Sequence, residues 1–108
     1  MHILVTGAAG RIGKILVEGL KGRHIIRGFD RNPNPQLADH VVGQNTDQSA
    51  LCKAAEGVDA IIHLSGSPSG AAPWDDILQS NIVGTYNLFE AARINGIRRV
   101  AFASRAGL

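Results

Sequence analysis

Val5-Thr6-Gly7-Ala8-Ala9-Gly10-Arg11-Ile12-Gly13 joins an apolar run, Ile3-Leu4-Val5, to an amphipathic one. Strand, glycine turn and helix start follow one another in the order that an anion site needs. The first turn of a helix carries unpaired N–H groups and the positive end of the macrodipole, so negative charge is stabilised there. Gly7 permits a tight exit from the strand. Gly10 has no side chain to block a phosphate, and Gly13 lets the helix lie close to the sheet.

The spacing narrows the ligand. Gly-x-x-x-x-Gly-Lys-Ser/Thr is absent, which excludes the P-loop of nucleotide hydrolases. Gly-x-Gly-x-x-Gly is absent too, because position 8 is Ala. What stands here is Thr-Gly-x-x-Gly-x-x-Gly, which resembles the fingerprint of the short-chain dehydrogenase/reductase superfamily in its extended, epimerase-like branch. Three glycines in a chain that has 13 say little alone. The strand before them and the helix after them favour dinucleotide binding over an ordinary glycine-rich turn.

Composition sets outer bounds. A chain of 108 residues is expected to form one domain with a modest core. The net charge of +2 is small and scattered, which argues against a nucleic-acid partner. No apolar run approaches a membrane span, and glycines with Arg11 interrupt the N-terminus, against a signal peptide. The single Cys52 cannot form an internal disulfide and fits a cytoplasmic location. There is no internal repeat, low-complexity tract or linker.

Taken in order, residues 2–6 read as a strand covered on both faces, because the run is apolar without alternation. A helix is expected over 11–21, with Ile12, Leu16 and Leu20 as its buried stripe, Ile15 beside it and Gly22 as its stop. The second strand, 24–30, ends on Asp30, which stands 17 residues after Gly13. An acid at that strand end accepts hydrogen bonds from an adenosine ribose and repels a 2′-phosphate, so it favours NAD over NADP. Arg31 is the counter-argument, since an arginine can accept that phosphate. The competing reading of Asp30 is a solvated residue ahead of the loop Asn32-Pro33-Asn34-Pro35. One helical turn is expected over 36–39 and a short strand over 40–43. Asp47 reads as the N-cap of a helix over 48–56, with Leu51, Ala54 and Ala55 inward and Gly57 as the stop.

The fourth strand spans 58–65. His63 within it has no second His, Cys or carboxylate at ligand spacing, so a satisfied structural histidine is favoured and no metal site is expected. The small, polar loop 66–73 leaves the carboxyl end of that strand, where open α/β sheets bind ligands. The longest helix follows over 74–95, with Asp75 and Asp76 at its positive end and Gly96 as its stop. Leu78, Ile82, Phe89 and Ala92 set its stripe, with Tyr86 alongside. Gly84 inside it costs about 1 kcal/mol against Ala, which implies a close backbone neighbour. A fifth strand covers 98–104. The alternation of strands and helices gives an α/β fold with a parallel sheet, and right-handed crossovers with a switch point after the first strand give the order 3-2-1-4-5, helices on both faces.

Gly57 to Leu64, Pro73 to Arg93 and Val100 to Ser104 resemble bacterial uronate dehydrogenases, which oxidise a hexuronic acid to its aldarolactone with NAD. The resemblance spans nearly all of this chain and about two fifths of such an enzyme, so a Rossmann-type fold lacking the family's C-terminal portion is expected. It implies that Gly7, Gly10, Arg11, Ile12 and Gly13 hold the pyrophosphate and that Asp30, with Arg31 beside it, faces the ribose. Gln44 and Asn45 stand where the family has Asp-Leu beside the adenine. Leu64, Ser65 and Gly66 line the cofactor by backbone, and Asn81 matches an asparagine that supports the active site, although its place on or next to the inward stripe favours a structural bond to a neighbouring loop. Ser67 to Ser69 lie where relatives help hold the sugar acid.

The departures concern the chemistry. The family's catalytic groups are a serine or threonine after the fifth strand and a Tyr-x-x-x-Lys pair on the next helix, in which the lysine lowers the tyrosine pKa and the tyrosinate takes the hydroxyl proton. Here the strand ends Ala103-Ser104-Arg105, the single tyrosine, Tyr86, is followed four residues later by Glu90, and no lysine follows Lys53. Tyr86 reads as core packing, and no catalytic residue is assigned. The leading expectation is the NAD-binding part of a uronate dehydrogenase-like oxidoreductase, inactive alone. A stand-alone dinucleotide sensor or partner module and a non-binding oligomeric remnant are the alternatives. Self-association through an exposed edge strand or the long helix is expected.

Overall fold

A computed structural model describes residues 1–64 and 82–102. The expectations for the loop at 65–73, the opening of the long helix, Asn81 and Ser104 lie outside the described residues.

Strands β1 (His2–Thr6), β2 (Ile25–Asp30), β3 (His40–Val42), β4 (Ala60–His63) and β5 (Arg99–Phe102) form one sheet in the order β3-β2-β1-β4-β5. Every pairing is parallel. Helices α1 (Arg11–Leu20), α2 (Gln48–Ala54) and α3 (Gly84–Ile94) follow β1, β3 and β4, while β2 runs into β3 through a loop. The order 3-2-1-4-5 read from the sequence is the order observed. Alternate residues of β1 point to opposite faces, as the period of a strand requires. Ile3 and Val5 pack with Val17 of α1 and Ile26 of β2 on one face. Leu4 packs on the other with Phe29, Ile61 and the buried residues of α2 and α3, among them Leu51 and Leu88.

Local signals fix the ends of these elements. Asp47 caps α2, its carboxylate accepting from the Ala50 N–H at 3.2 Å. Gly22, Gly57 and Gly96 follow the three helices with φ of 87°, 76° and 69°, the left-handed conformation that stops a helix at little cost to glycine. Residues 36–39 hold no helical turn; Leu37 N–H instead closes a turn on the Asn34 carbonyl at 3.0 Å.

Two helices are rotated from their sequence reading. In α1 the buried residues are Gly13 and Val17, with Leu16 and Leu20 half-buried, while Ile12 is 63% exposed and Ile15 faces solvent as well. The cause is Gly13, which has to face the sheet. In α3 the buried set is Gly84, Asn87, Leu88, Ala91 and Ala92, whereas Tyr86 and Phe89, and Ile82 just ahead of the helix, are exposed. Tyr86 is therefore not core packing. Two asparagines explain this rotation. Asn87 donates to the Asn45 carbonyl at 3.0 Å and accepts from Gln48 Nε2 at 3.3 Å. Asn95 donates to the Cys52 carbonyl at 3.0 Å. The seam between α2 and α3 is thus partly polar, and an apolar-stripe reading passes over it.

Candidate dinucleotide site

The four strands β1 to β4 run parallel and end at one edge of the sheet, with Thr6 level with Phe29 and with His63. The turn from β1 into α1 crosses that edge. Gly7 has φ of 73°, and its N–H donates to the Phe29 carbonyl at 2.8 Å. Gly10 is the exposed N-cap of α1, with no side chain capping the helix. A Cβ on Gly10 would stand 3.3 Å from the Gly7 carbonyl oxygen. A Cβ on Gly13 would stand 2.9 Å from the Ala8 carbonyl carbon and closer still to Gly7 O, a clash with backbone that nothing relieves by a rotamer change. The three glycines are therefore what allow the first turn of α1 to sit directly over the strand end.

The consequence is electrostatic. The first-turn N–H groups of Arg11, Ile12 and Gly13 have no protein acceptor among the described residues. No acidic side chain occupies that turn. A diphosphate is the kind of group whose oxygens such donors suit, with the macrodipole adding to the attraction. Gly7, Gly10 and Gly13 are thus brought together as a cradle, while the Arg11 and Ile12 side chains point into solvent beside it.

Asp30 closes β2 next to this turn. Its Oδ2 accepts from the Ala9 N–H at 3.0 Å, and its Oδ1 accepts from the Asn32 N–H at 3.0 Å. It is neither a free solvated residue nor fully consumed. A carboxylate has about four lone-pair sites, so two remain for a hydroxyl-bearing ligand. Arg31 beside it is exposed.

Gln44 and Asn45 follow β3 and differ in setting. Gln44 is exposed, and its carbonyl accepts from Asp47 N–H at 2.9 Å. Asn45 turns toward α3. A Cβ on Gly84 would stand 2.5 Å from Asn45 Cγ, so Gly84 makes room for a side chain and not for the backbone neighbour expected from the sequence. Leu64 N–H bonds back to Thr6, donating to its carbonyl at 3.0 Å and to Oγ1 at 3.1 Å, which ties the exit of β4 to that of β1. Ser65, Gly66 and Asn81 lie outside the described residues.

His63 is buried under the same edge. Its Nδ1 shares a hydrogen bond of 2.6 Å with Thr6 Oγ1, and its ring meets Phe102 edge-on at 5.4 Å between centroids. Nε2 is buried with no hydrogen-bond partner among the described residues, so the histidine is only half satisfied. Desolvation pushes its pKa down from 6.5 to about 4. It is therefore a neutral packing group near pH 7. Among the described residues no cluster of His, Cys, Asp or Glu could hold a metal, and no helix is long and apolar enough to cross a membrane.

Two asparagines escaped the sequence reading. Asn34 lies in a loop that signals only a turn, yet it is 1% exposed and bonds to the glycine turn. Asn87, on α3, holds the segment that carries Asn45. The Asn-Pro-Asn-Pro pattern announces a rigid loop but not which asparagine faces inward.

A doubly wound parallel sheet with a glycine cradle at its switch point defines a nucleotide-binding α/β class of protein. The model of the NAD dependent epimerase/dehydratase family matches residues 3–107, and the chain belongs to that family. It is similar to L-arabinose 1-dehydrogenase (NAD(P)(+)) of Haloferax volcanii, 41% identical over 103 residues, covering 95% of this chain and 40% of that protein. It is also similar to uronate dehydrogenase of Pseudomonas syringae pv. tomato, 43% identical over 108 residues, covering 95% of this chain and 39% of that protein. Among solved structures, a uronate dehydrogenase variant from Agrobacterium tumefaciens complexed with NAD superposes with a TM-score of 0.86 at 41% identity, covering 95% of this chain and 40% of that one. The chain thus spans about 40% of the length of each of these three relatives.

Proposed function

We propose that this chain is the NAD-binding part of a uronate dehydrogenase-like oxidoreductase, and that by itself it binds the dinucleotide without turning over a sugar acid. The observation that carries the reading is Gly13 pressed against the Gly7 carbonyl, which sets three unpaired N–H groups over the end of β1. Gly7, Gly10 and Gly13 form the diphosphate cradle, with backbone N–H groups of Arg11, Ile12 and Gly13 as donors. Asp30 accepts from the adenosine ribose and disfavours a 2′-phosphate. Gln44 and Asn45 flank the adenine, and the backbone at Leu64, Ser65 and Gly66 lines the nicotinamide side. Arg31 and Asn81 complete the set as lesser contributors. When bound, the nicotinamide supplies a hydride acceptor. The chain's residues supply grip and orientation, and its one tyrosine, Tyr86, is followed four residues later by Glu90 instead of the lysine that would lower a tyrosine pKa for proton transfer.

The relatives named above act on a pentose and on a uronate, so the substrate class rests on the similarity to uronate dehydrogenases and not on the cradle. Self-association through β5 and the exposed face of α3 belongs to the same proposal. The test is calorimetry on the purified chain. NAD at about millimolar concentration is expected to give saturable heat and NADP at least about tenfold weaker binding, reversed by Asp30→Ser. Galacturonate or glucuronate with NAD is expected to give no rise in reduced nicotinamide. A flat NAD titration defeats the binding reading, and turnover abolished by Tyr86→Phe defeats the claim that the chain lacks a proton acceptor.

A further inference from the structure

Ala8 and Ala9 share one peptide unit in the middle of the glycine turn, and both of its polar ends are held by side chains, one from the end of β2 and one from the loop that follows it. Asn34 Nδ2 donates to the Ala8 carbonyl at 2.8 Å. Ala9 N–H donates to Asp30 Oδ2 at 3.0 Å. Asn34 is itself fixed: it is 1% exposed, and its Oδ1 accepts from the Gln36 N–H at 2.9 Å. Pro33 and Pro35 flank it, which restricts the backbone on either side. On the other side of the contact, Gly28 of β2 makes the room. A Cβ there would stand 3.1 Å from the Ala8 Cβ.

We infer that Asn34 is a positioning residue of the dinucleotide grip: with Asp30 it clasps the Ala8–Ala9 peptide and fixes which way that peptide faces. The inference rests on the nucleotide-binding reading above and deepens it. The physical need is clear from the neighbours. The Ala8–Ala9 peptide lies in a turn between Gly7, at φ of 73°, and Gly10, outside any helix or strand, so no ladder hydrogen bond fixes its plane. A rotated peptide would turn the Ala8 carbonyl toward the Asp30 carboxylate and present oxygen, not N–H, near the site of a phosphate. Two hydrogen bonds to one peptide unit remove that freedom before ligand arrives, which lowers the ordering cost of binding. The clasp also links the two ends of the ligand site. The acid that faces the ribose is one jaw, so the ribose acceptor and the diphosphate cradle are set by the same contact.

The test uses the whole chain, wild type and two variants. Asn34→Leu replaces the side chain by an apolar one of similar volume. Asn34→Asp keeps the acceptor for Gln36 N–H and puts a carboxylate oxygen in place of the donor to Ala8. Amide exchange is followed by NMR without ligand, and affinity is measured for NAD, ADP-ribose and adenosine. Exchange at Ala9 is expected to rise about tenfold or more in both variants, with Leu4 and Val5 in the core strand unchanged. NAD and ADP-ribose are expected to lose about tenfold in affinity while adenosine, which has no phosphate, stays within about twofold. A general loss of stability would move all three ligands and the strand amides together, and that outcome overturns the inference. So does an Ala9 amide that stays protected in both variants. A wild type that gives no signal with NAD or ADP-ribose defeats the function proposed above, and the exchange rates then decide the clasp by themselves.

Discussion

Gly13 is the residue on which the site's geometry turns. A methyl group there has to displace the Gly7 and Ala8 backbone, because the obstructing atoms are main-chain and have no alternative rotamer. Gly13→Ala is expected to destabilise the chain by roughly 1–3 kcal/mol, the range for overpacking, although alanine is the better helix former by about 1 kcal/mol. Thermal unfolding measures this loss, and the same variant is expected to give no NAD signal in calorimetry, because the displaced turn no longer holds its N–H groups together. Gly19→Ala, in the same helix with nothing within 4 Å of the added Cβ, is the control expected to stabilise. His63 gives a different prediction at this scale. Its folded pKa is lowered from 6.5 to about 4 by burial, so the unfolded chain takes up the proton first as pH falls. The associated stability is complete above pH 6.5, is lost as pH falls from there to about 4, and does not decline further below that. The full loss is roughly 3 kcal/mol. Denaturant midpoints of wild type and His63→Phe, compared across that window, are expected to differ in slope. Parallel curves would show that His63 is not the titrating group.

At the scale of an element, α1 separates what a sequence pattern decides from what a contact decides. Its length and ends were legible, because Gly10 and Gly22 bracket an amphipathic run. Its rotation was not. The spacing of Ile12, Leu16 and Leu20 is a regular stripe, but the contact of Gly13 with Gly7 turns the helix so that Val17 is central and Ile12 is outside. Val17→Ala is therefore expected to cost about 2 kcal/mol, whereas Ile12→Lys stays within about 0.5 kcal/mol. Equal costs, measured by urea unfolding, would restore the stripe read from the sequence. The α3 helix makes the same point with polar residues. Its periodicity promised an apolar face through Ile82 and Phe89, while Asn87 and Asn95, which satisfy carbonyls on the α2 side, set the face that is buried. The sheet order, by contrast, follows from alternation and handedness alone, which is why it could be read without any contact. Asn34 could not, since Ala8 becomes its neighbour only once the turn and the loop have both formed.

For the whole molecule the decisive feature is where apolar surface is left uncovered. The α1 face of the sheet and the α2–α3 face each enclose a core, and among the described residues the rim beside β5 carries exposed aromatic rings. Phe89 of α3 and Phe102 of β5 lie 5.3 Å apart between ring centroids, at 48% and 46% exposure, and Ile82 and Tyr86 extend the same side of α3. β5 is the outer strand of the described sheet, pairing only with β4. An edge strand next to exposed aromatics has two ways to bury itself, through backbone pairing or through side-chain packing, and both favour association. The expected behaviour is a concentration-dependent shift from monomer to dimer in sedimentation velocity. Phe89→Lys with Phe102→Lys is expected to hold the chain monomeric, because two lysines would have to be desolvated at the contact. Phe102 meets His63, which bonds Thr6 beside the glycine turn, whereas Phe89 lies on α3 across from it, so NAD affinity in Phe89→Lys alone is expected to remain within about twofold of wild type. A wild type that stays monomeric at high concentration removes the association, and a double variant that still dimerises moves the interface to another face.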